Sequence, residues 1–277
     1  MDYKIIDTII LNALNEDMPE GDCTTDNLIP VDHQSKARFI CKEDGVISGI
    51  DVVRRVFELV GGKFNLTFNV KNGDNVKKGD IIGLIDGDTR TLLKGERVAL
   101  NLFQRMCGIA TTTKKFTQEL QGNTKILDTR KTTPNLRYIE KMAVVDGGGT
   151  NHRYSLSDMA MIKDNHIVAS GSITKAVEIL KSKITKRVEV EVETREEFLE
   201  ANATDADVIM LDNMSNEDMK WCVLHNDKKK HQLEASGNMT VERIKEVSSL
   251  GVDFISVGAL THSPKALDIS LKFYDLN

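Results

Sequence analysis

The stretch DVIMLDNMSNEDMKWCVLH, residues 207–225, predicts a strand followed directly by a helix. Its first part, DVIMLD, is a short apolar run that ends in a carboxylate, as a buried strand can. Its second part, SNEDMKWCVLH, has apolar residues at the spacing of an amphipathic helix. Strand and helix therefore alternate here within fewer than about twenty residues.

The same alternation repeats through the second half of the chain. Five further apolar runs have the length of strands, and helical patterns such as SITKAVEILKSK and TVERIKEVSSL lie among them. Alternating strands and helices imply parallel strands that are covered by helices. Six units favour a nearly closed α/β barrel over an open sheet. The other runs are KILDT (125–129), MAMIK (159–163), VEVEV (188–192), HQLEAS (231–236) and VDFISV (252–257).

The first hundred residues mix helix and strand in a different pattern. Residues 3–15 have helical spacing, and residues 87–120 read as mostly helical, with strand-like segments between them. The glycine-rich stretch VKNGDNVKKGD (70–80) predicts a hairpin. We expect an open α/β sandwich over residues 1–107 and the barrel over residues 108–277, whose last few residues can return to the sandwich.

The hairpin also admits a non-enzymatic interpretation. Its glycine and valine spacing resembles half of a biotinyl or lipoyl carrier domain. The lysine that such carriers present at the hairpin tip has no counterpart in this stretch. We therefore favour a structural hairpin and keep a carrier module as the alternative.

Composition argues against several kinds of partner. Lys and Arg number 37 against 42 Asp and Glu, a net charge of -5, so no global basic field attracts nucleic acid or an anionic membrane. No apolar run approaches the ~20 residues that span a bilayer. The opening residues lack a signal-peptide cleavage region, and the cysteines lack CxxC spacing. We expect a cytoplasmic protein with free thiols and neither nucleic-acid nor membrane partners.

Polar residues follow each of the six apolar runs, where the strands end. Active-site groups of α/β barrels lie at the carboxyl ends of the strands, so these residues should meet at one rim. The need for polar residues in a turn explains any one of these polar strand ends, but it does not explain why all six strands end in this way. Early units supply cations, middle units carboxylates and late units small residues; the candidates are Arg130, Lys131, His152, Arg153, Lys163, Glu191, Asp212, Ser236, Gly237, Asn238, Gly258 and Ala259.

Three features refine this rim. The turn at 236–238 precedes a helix that begins near Thr240, so its backbone amides and the helix dipole can hold a phosphate. Lys163, at the end of an apolar strand, needs an anionic partner because burying an ammonium group is costly. In EVEVE we expect Glu191 to face the site and Glu189 and Glu193 to face outward, although strand period alone does not identify the inner face.

The sequence closely resembles the quinolinate phosphoribosyltransferases, also called nicotinate-nucleotide diphosphorylases (carboxylating). The resemblance covers nearly the whole chain in order and spacing, and its most specific segments are DTRKTTP and GGGTNHR. Asn135 and Asn238 stand where the family usually has glycine, and Asp146 before the glycines is also unusual. The other matching segments are GERVALNLFQRMCGIAT, MIKDNHI, EVEVE, VIMLDN, EASGN and ISVGALTHS.

The resemblance implies transfer of phosphoribose from phosphoribosyl diphosphate to the ring nitrogen of quinolinate. Diphosphate and CO2 leave, and nicotinate mononucleotide forms for NAD biosynthesis. The resemblance also implies catalytic roles for Lys131, Lys163, Glu191 and Asp212. It places Arg130, His152, Arg153 and Lys163 around the quinolinate carboxylates, Lys131 beside the diphosphate, and Ser236, Gly237 and Gly258 around the 5′-phosphate.

The cofactor and the assembly are also implied only by the resemblance. Glu191 and Asp212 would face the ribose hydroxyls and Mg²⁺, with substrate or water between them and the metal, and no organic cofactor is needed. Arg97 would reach the active site of a neighbouring subunit, which implies a homodimer or a larger assembly. The alternatives are a molybdenum-transport-associated paralogue and an enzyme that uses nicotinate.

Overall fold

The computed structural model describes residues 2–226 and 230–274. They form two compact units with their own cores. Unit 1 comprises Met1–Lys114, Thr132–Gly148 and Leu260–Asn277, and unit 2 comprises Lys115–Lys131 and Gly149–Ala259.

Unit 1 combines helices with an antiparallel sheet. Its helices are α1 (Tyr3–Asp17), α2 (Thr25–Leu28), α3 (Ile50–Val60), α4 (Thr89–Gln118), α5 (Arg137–Asp146) and α11 (Ala259–His262). The last residues of α4 and the first residue of α11 belong to unit 2. Its strands are β1 (Gln34–Cys41), β2 (Gly45–Val46), β3 (Phe64–Phe68), β4 (Asn75–Val76), β5 (Ile81–Asp88) and β12 (Ile269–Tyr274). The four-stranded sheet has the order β12-β1-β5-β3, and β2 pairs with β4.

Alternating burial explains the sheet of unit 1. Along β1, Ala37, Phe39 and Cys41 are buried, so one face of the strand lies in the core. The ring of Phe39 lies 5.2 Å from that of Phe68 and 6.3 Å from that of Phe103 on α4. Each buried aromatic side chain contributes roughly 1.5–3 kcal/mol through the hydrophobic effect. The helical and strand patterns of the first hundred residues therefore meet in one core.

Three stretches of unit 1 come from beyond residue 107: residues 108–114, 132–148 and 260–277. β12 pairs with β1 in antiparallel register from Lys36↔Tyr274 to Cys41↔Ile269. α4 also runs unbroken across the expected boundary between residues 107 and 108. The two compact units are therefore interleaved along the chain, and no single position in the sequence separates them. A long helix hides such a boundary, because its periodicity continues on both sides.

Unit 2 is built on a six-stranded parallel sheet with the order β6-β11-β10-β9-β8-β7. Its strands are β6 (Lys125–Leu127), β7 (Ala160–Ile162), β8 (Val188–Val192), β9 (Val208–Asp212), β10 (Gln232–Ser236) and β11 (Phe254–Ser256). The first strand, β6, pairs with the last, β11. Among the described residues no ladder joins β6 to β7, so the barrel is incomplete. The predicted fold, a sandwich followed by an incomplete six-stranded α/β barrel, is confirmed.

Helix caps set the starts of the helices that follow the strands. These helices are α6 (Asp164–Ser170), α7 (Ile173–Lys183), α8 (Arg195–Asn202), α9 (Asn216–His225) and α10 (Val241–Ser249). The hydroxyl groups of Ser172, Thr194, Ser215 and Thr240 each accept a backbone N–H three residues ahead. The caps leave short loops, so polar residues just after the strands stay at the carboxyl edge of the sheet.

The described residues, 2–226 and 230–274, contain no helix that is long and apolar enough to cross a membrane.

Candidate active site

A cavity of about 410 Å³ opens at the carboxyl ends of the strands of unit 2. Six of its lining side chains come in three pairs two residues apart, because alternate residues of a strand face the same side. This pairing is seen on β7 and the residue after it, on β9 and on β10. The lining residues are Thr129, Arg130, Lys131, His152, Arg153, Met161, Lys163, Glu191, Met210, Asp212, Glu234, Ser236 and Ser256.

Two arginines bring positive charge into the cavity. Arg153 is held by hydrogen bonds from its guanidinium to the carbonyl oxygen of Met159, at 3.1 Å, and to the sulfur of Met161, at 3.4 Å. Burial and the positive charge of Arg130 lower the pKa of Arg153, whereas Glu189 and Glu191 raise it. The guanidinium groups therefore repel each other, and nearby carboxylates offset that repulsion.

Lys163 has the anionic partner that the sequence required. Its ammonium group forms an ion pair with Glu191 on the neighbouring strand β8. The lysine side chain is 43% exposed and the glutamate side chain 15% exposed, so the pair lies at the mouth of the cavity. A cation and an anion are thereby held next to each other, both accessible to a ligand.

The turns after β9 and β10 fit against each other. Asn213 donates from Nδ2 to Oδ2 of Asp212 at 2.7 Å and accepts at Oδ1 from Asn238, at 3.2 Å. Arg243 joins the two turns by donating to the carbonyl oxygens of Gly237 and Met214, at 3.1 and 3.0 Å. The carboxylate of Asp212 thus has one oxygen in a fixed hydrogen bond.

The family departures Asn135 and Asn238 keep the backbone shape that glycine allows. Their φ angles are 66° and 48°, in the left-handed region, which asparagine tolerates better than most other residues. The third departure, Asp146, accepts a hydrogen bond from the hydroxyl of Ser48 at 2.6 Å. At Gly237 φ is 92°, and a Cβ atom would clash with the side chain of Asn213. Glycine is therefore required at Gly237, whereas asparagine suffices at the other two turns.

Three titratable side chains form a buried cluster, and two of them, His152 and Glu234, also line the cavity. Nε2 of His152 lies 3.1 Å from Oε2 of Glu189 and 3.3 Å from Oε2 of Glu234. The side chains of these residues are 7%, 0% and 1% exposed, respectively. The expectation that Glu189 faces outward was therefore wrong. Residues 189 and 191 are two apart on one strand and must face the same side, while Glu193, just past the strand, is exposed.

The cluster holds protons tightly. Burial alone lowers the pKa of His152, but the two carboxylates raise it to about 10. Burial raises the pKa of Glu189 to about 7, and the charge of Glu234 acts in the same direction. The backbone nitrogen of Arg153 lies 2.7 Å from Nδ1 of His152. The ring is therefore positively charged at neutral pH, and the two carboxylates stabilise that charge.

Two sets of residues have metal-ligand chemistry. Ligand atoms of His152, Glu189 and Glu234 lie within 4.8 Å of one another. However, the two carboxylates raise the pKa of the histidine, so the ring is protonated at neutral pH and its Nε2 is not free to bind a metal. Asp212 and Glu191 offer accessible carboxylate oxygens on adjacent strands, which suit Mg²⁺. These two residues therefore have the chemistry of ligands for Mg²⁺, the metal that the family resemblance implied.

The cavity brings together most of the predicted residues. Gly258 and Ala259 follow β11, beyond the lining residue Ser256, and Gly237 and Asn238 follow β10. Arg97 is exposed on α4, in unit 1. No role was predicted for five of the lining residues: Thr129, Met161, Met210, Glu234 and Ser256. Met161, Met210 and Glu234 each lie two residues before a predicted site residue, namely Lys163, Asp212 and Ser236. Because residues two apart on a strand face the same side, this spacing could have identified them.

Comparison with known proteins identifies the same family as the sequence motifs do, over nearly the whole chain. The family model "Quinolinate phosphoribosyl transferase, N-terminal domain" matches residues 22–107, and the corresponding C-terminal domain matches residues 109–272. Quinolinate phosphoribosyltransferase (decarboxylating) 1b of Nicotiana tabacum is 42% identical, covering 95% of this chain and 81% of its own. The chloroplastic nicotinate-nucleotide pyrophosphorylase (carboxylating) of Arabidopsis thaliana is 43% identical, with coverage of 95% and 81%.

The fold agrees as well. The crystal structure of NadC from Streptococcus pyogenes is 41% identical and superposes with a TM-score of 0.94, over 99% of each chain. Sequence, fold and family models match over nearly the full length, and the chain belongs to the quinolinate phosphoribosyltransferase family.

Proposed function

We propose that this chain transfers phosphoribose from phosphoribosyl diphosphate to the ring nitrogen of quinolinate. Diphosphate and CO2 are released, and nicotinate mononucleotide forms for NAD biosynthesis. The observation that carries the proposal is the charge of the cavity, where Arg130, Arg153 and Lys163 accompany Glu191 and Asp212. A dicarboxylate substrate needs cationic partners, and a cationic transition state needs carboxylates. The names of the relatives support the same reaction.

The cations suit quinolinate, which carries two carboxylates on adjacent ring carbons. A guanidinium group can bind a carboxylate through two parallel hydrogen bonds, and Arg130 and Arg153 supply two such groups. Lys163 adds a third cation, held in place by Glu191. Binding by these groups turns the ring nitrogen of the substrate toward the ribose side of the cavity.

Transfer of the ribose requires position and charge rather than a base. A pyridine nitrogen already carries its lone pair, so no side chain has to remove a proton before attack. Departure of diphosphate leaves positive charge on the ribose carbon, which the carboxylates of Glu191 and Asp212 stabilise electrostatically. Lys131, at the exposed side of the cavity, neutralises charge on the diphosphate.

Loss of CO2 follows from the product of transfer. The bond between the adjacent ring carbon and its carboxylate breaks and CO2 leaves. The positive ring nitrogen stabilises the electron pair that remains on this carbon, which then takes up a proton from solvent. The step therefore needs no organic cofactor.

The phosphate end of the substrate fits the late turns. Ser236 lines the cavity, and the backbone of Gly237 and Asn238 turns toward α10 immediately after it. Backbone N–H groups at such a turn bind anions without a side chain. We assign the 5′-phosphate to this turn and to Gly258 and Ala259.

Mg²⁺ would be held by Asp212 and Glu191, through substrate or water. When bound, it neutralises part of the charge of the diphosphate. Asp212→Asn should therefore raise KM for phosphoribosyl diphosphate by roughly tenfold or more, with much less effect on quinolinate. Asp205→Asn, at a side chain that is 90% exposed, is the matched control and should change neither constant. Equal loss for both substrates would point to a structural role of Asp212.

The test of the proposed function compares two acids. Purified protein with phosphoribosyl diphosphate and Mg²⁺ should convert quinolinate to nicotinate mononucleotide and should use nicotinate poorly. Nicotinate has one carboxylate and leaves part of the cationic surface without a partner, at a cost in affinity. A preference for nicotinate, or no product from quinolinate, would refute the proposal.

Assembly and location are part of the same proposal. We propose a homodimer, or a larger assembly built from it, in which Arg97 reaches the active site of the neighbouring subunit. The exposure of Arg97 on α4 supports this role. We also propose a cytoplasmic location, which the four free cysteines support.

A further inference from the structure

The chain passes from unit 2 into unit 1 at two points, each directly after a residue of the proposed site. It enters unit 1 at Thr132, after Lys131, and again at Leu260, after Ala259. Lys131 lines the cavity, and Ala259 is among the residues that we assign to the 5′-phosphate. Consecutive Cα atoms are only ~3.8 Å apart, so a group that holds either entry segment restrains a substrate-binding residue as well.

The guanidinium group of Arg105 on α4 reaches both entry segments. Its Nη2 donates to Oγ1 of Thr133 at 2.6 Å and to the carbonyl oxygen of Thr261 at 3.4 Å. Thr133 comes two residues after Lys131, and Thr261 comes two residues after Ala259. A single side chain of unit 1 therefore holds both segments.

The carboxylate of Glu140 on α5 fixes this guanidinium group. Its Oε1 accepts from Nε of Arg105 at 2.7 Å, and its Oε2 accepts the backbone N–H of Thr133 at 3.1 Å. The side chain of Glu140 is fully buried, and a buried carboxylate is costly unless partners compensate it. Both of its oxygens have partners, so the ion pair and Thr133 form one closed network.

We propose that Arg105 and Glu140 are positioning residues, which anchor the two segments that follow substrate-binding residues. The proposal rests on the proposed function, in which Arg130 and Lys131 bind quinolinate and the diphosphate. Arg105 and Glu140 are not among the residues that line the cavity, so they act through the backbone of the segments that they hold.

Thr133→Val tests the link between the network and the cation-bearing loop. Valine has the shape of threonine without its hydroxyl group, so the variant removes the contact with Arg105 and keeps the ion pair with Glu140. Because displacement of a binding group by about 1 Å can cost on the order of a hundredfold, we expect loss of this one anchor to lower kcat/KM for quinolinate roughly tenfold. Thr133→Ser keeps the hydroxyl group and should retain most of the activity.

Thr174→Val is the matched control for the lost hydroxyl group. The hydroxyl and the backbone N–H of Thr174 on α7 donate to Oε1 of Glu200 at 3.0 and 2.9 Å, so this threonine also contacts a charged side chain. The control should lose similar stability in a thermal melt and keep normal kinetics.

Arg105→Lys tests whether one side chain serves both entry segments. An ammonium group can still pair with Glu140, but it lacks the planar fork that contacts Thr133 and Thr261 together. We therefore expect weaker binding of both quinolinate and phosphoribosyl diphosphate, each by roughly threefold to tenfold, in calorimetric titration.

A purely structural ion pair predicts different results. Normal kinetics in folded Thr133→Val, or equal losses in Thr133→Val and Thr133→Ser, would overturn the proposal. A folded Arg105→Lys with normal affinity for both substrates would do the same, and the threonine variants decide the question if Arg105→Lys does not fold. A wild-type protein that does not convert quinolinate would refute the proposed function instead.

Discussion

At the scale of single residues, the site depends on how charge is compensated. Arg130, Arg153 and Lys163 gather positive charge in a protein whose net charge is -5, and each lies near a carboxylate of the same sheet or would meet one on the substrate. The sequence predicted these cations because they follow apolar strands, where a charge without a partner is costly. It did not predict the buried carboxylates beneath them. Glu189 and Glu234 lie within strands. The two-residue period of a strand does not show which of its faces points into the barrel, so a buried glutamate there looks the same in the sequence as a solvated one.

Arg130→Ala tests the cation that comes directly after β6. The variant should fold, because a residue at the rim of the barrel contributes little to the core, but it removes a carboxylate partner from a partly buried site. Loss of one member of such a pair typically costs ~2–5 kcal/mol, which is a fall in kcat/KM of roughly thirtyfold to several thousandfold.

Arg137→Ala is the control for this variant. Arg137 begins α5 and donates from Nε to Oγ1 of Thr132 at 3.0 Å, so its loss should cost much less activity. Kinetics and thermal melts of both variants are compared with those of the wild type. Near-normal kcat/KM in Arg130→Ala with a large loss in Arg137→Ala would reverse the assignment of this loop.

At the scale of elements, the strand-to-helix turns carry the binding groups. The repeated alternation of apolar runs and helical patterns predicted β6 to β11, because each strand is buried and each helix is amphipathic. Periodicity gave no sign of β2 and β4, which have two residues each. The predicted hairpin is also more complex than expected. β3 and β5 pair with each other, but the connection between them contains β4, which pairs with β2. A pairing between such short, distant segments leaves no local signal.

Gly237→Ala tests the turn after β10. At φ 92° a side chain is strained, and its Cβ would also displace Asn213, which is hydrogen-bonded to Asp212. We expect KM for phosphoribosyl diphosphate to rise several-fold or more and the protein to lose more than ~1 kcal/mol of stability.

Gly251→Ala provides the matched control for this turn. Its φ is 97°, but the nearest atom to an added Cβ is Cγ1 of Val223 at 3.4 Å, so the backbone strain is similar without the clash. It should lose about 1 kcal/mol in a thermal or urea melt and keep a normal KM. A normal KM in Gly237→Ala as well would show that the turn does not bind the substrate phosphate.

At the scale of the whole molecule, the two compact units are interleaved along the chain. Unit 1 takes up residues 132–148 and β12 in addition to the first 114 residues. The return of the last residues to this unit was predicted as a possibility, but the insertion of residues 132–148 was not predicted. That segment follows β6 without a change of composition, and only contacts between residues distant in sequence assign it to unit 1. The family models divide the chain near residue 108, as the change of pattern along the sequence does.

The proposed dimer makes a prediction of its own. If Arg97 serves the neighbouring active site, Arg97→Ala and Arg130→Ala should each have strongly reduced activity alone and should regain activity when their subunits are mixed and allowed to exchange. Random pairing leaves one intact site in half of the dimers, so about a quarter of wild-type activity should return. Size-exclusion chromatography with light scattering checks that the mixture is dimeric. A dimeric mixture that has exchanged subunits but stays inactive would place Arg97 in its own site or outside both.

The central claim is that one site both transfers phosphoribose and releases CO2. The most direct test measures CO2, diphosphate and nicotinate mononucleotide in the same reaction of purified protein with quinolinate, phosphoribosyl diphosphate and Mg²⁺. Decarboxylation depends on the positive ring nitrogen that transfer creates, so we predict equal amounts of all three products and no CO2 when phosphoribosyl diphosphate is omitted. Diphosphate released without matching CO2 and nicotinate mononucleotide, or CO2 formed from quinolinate alone, would contradict this account.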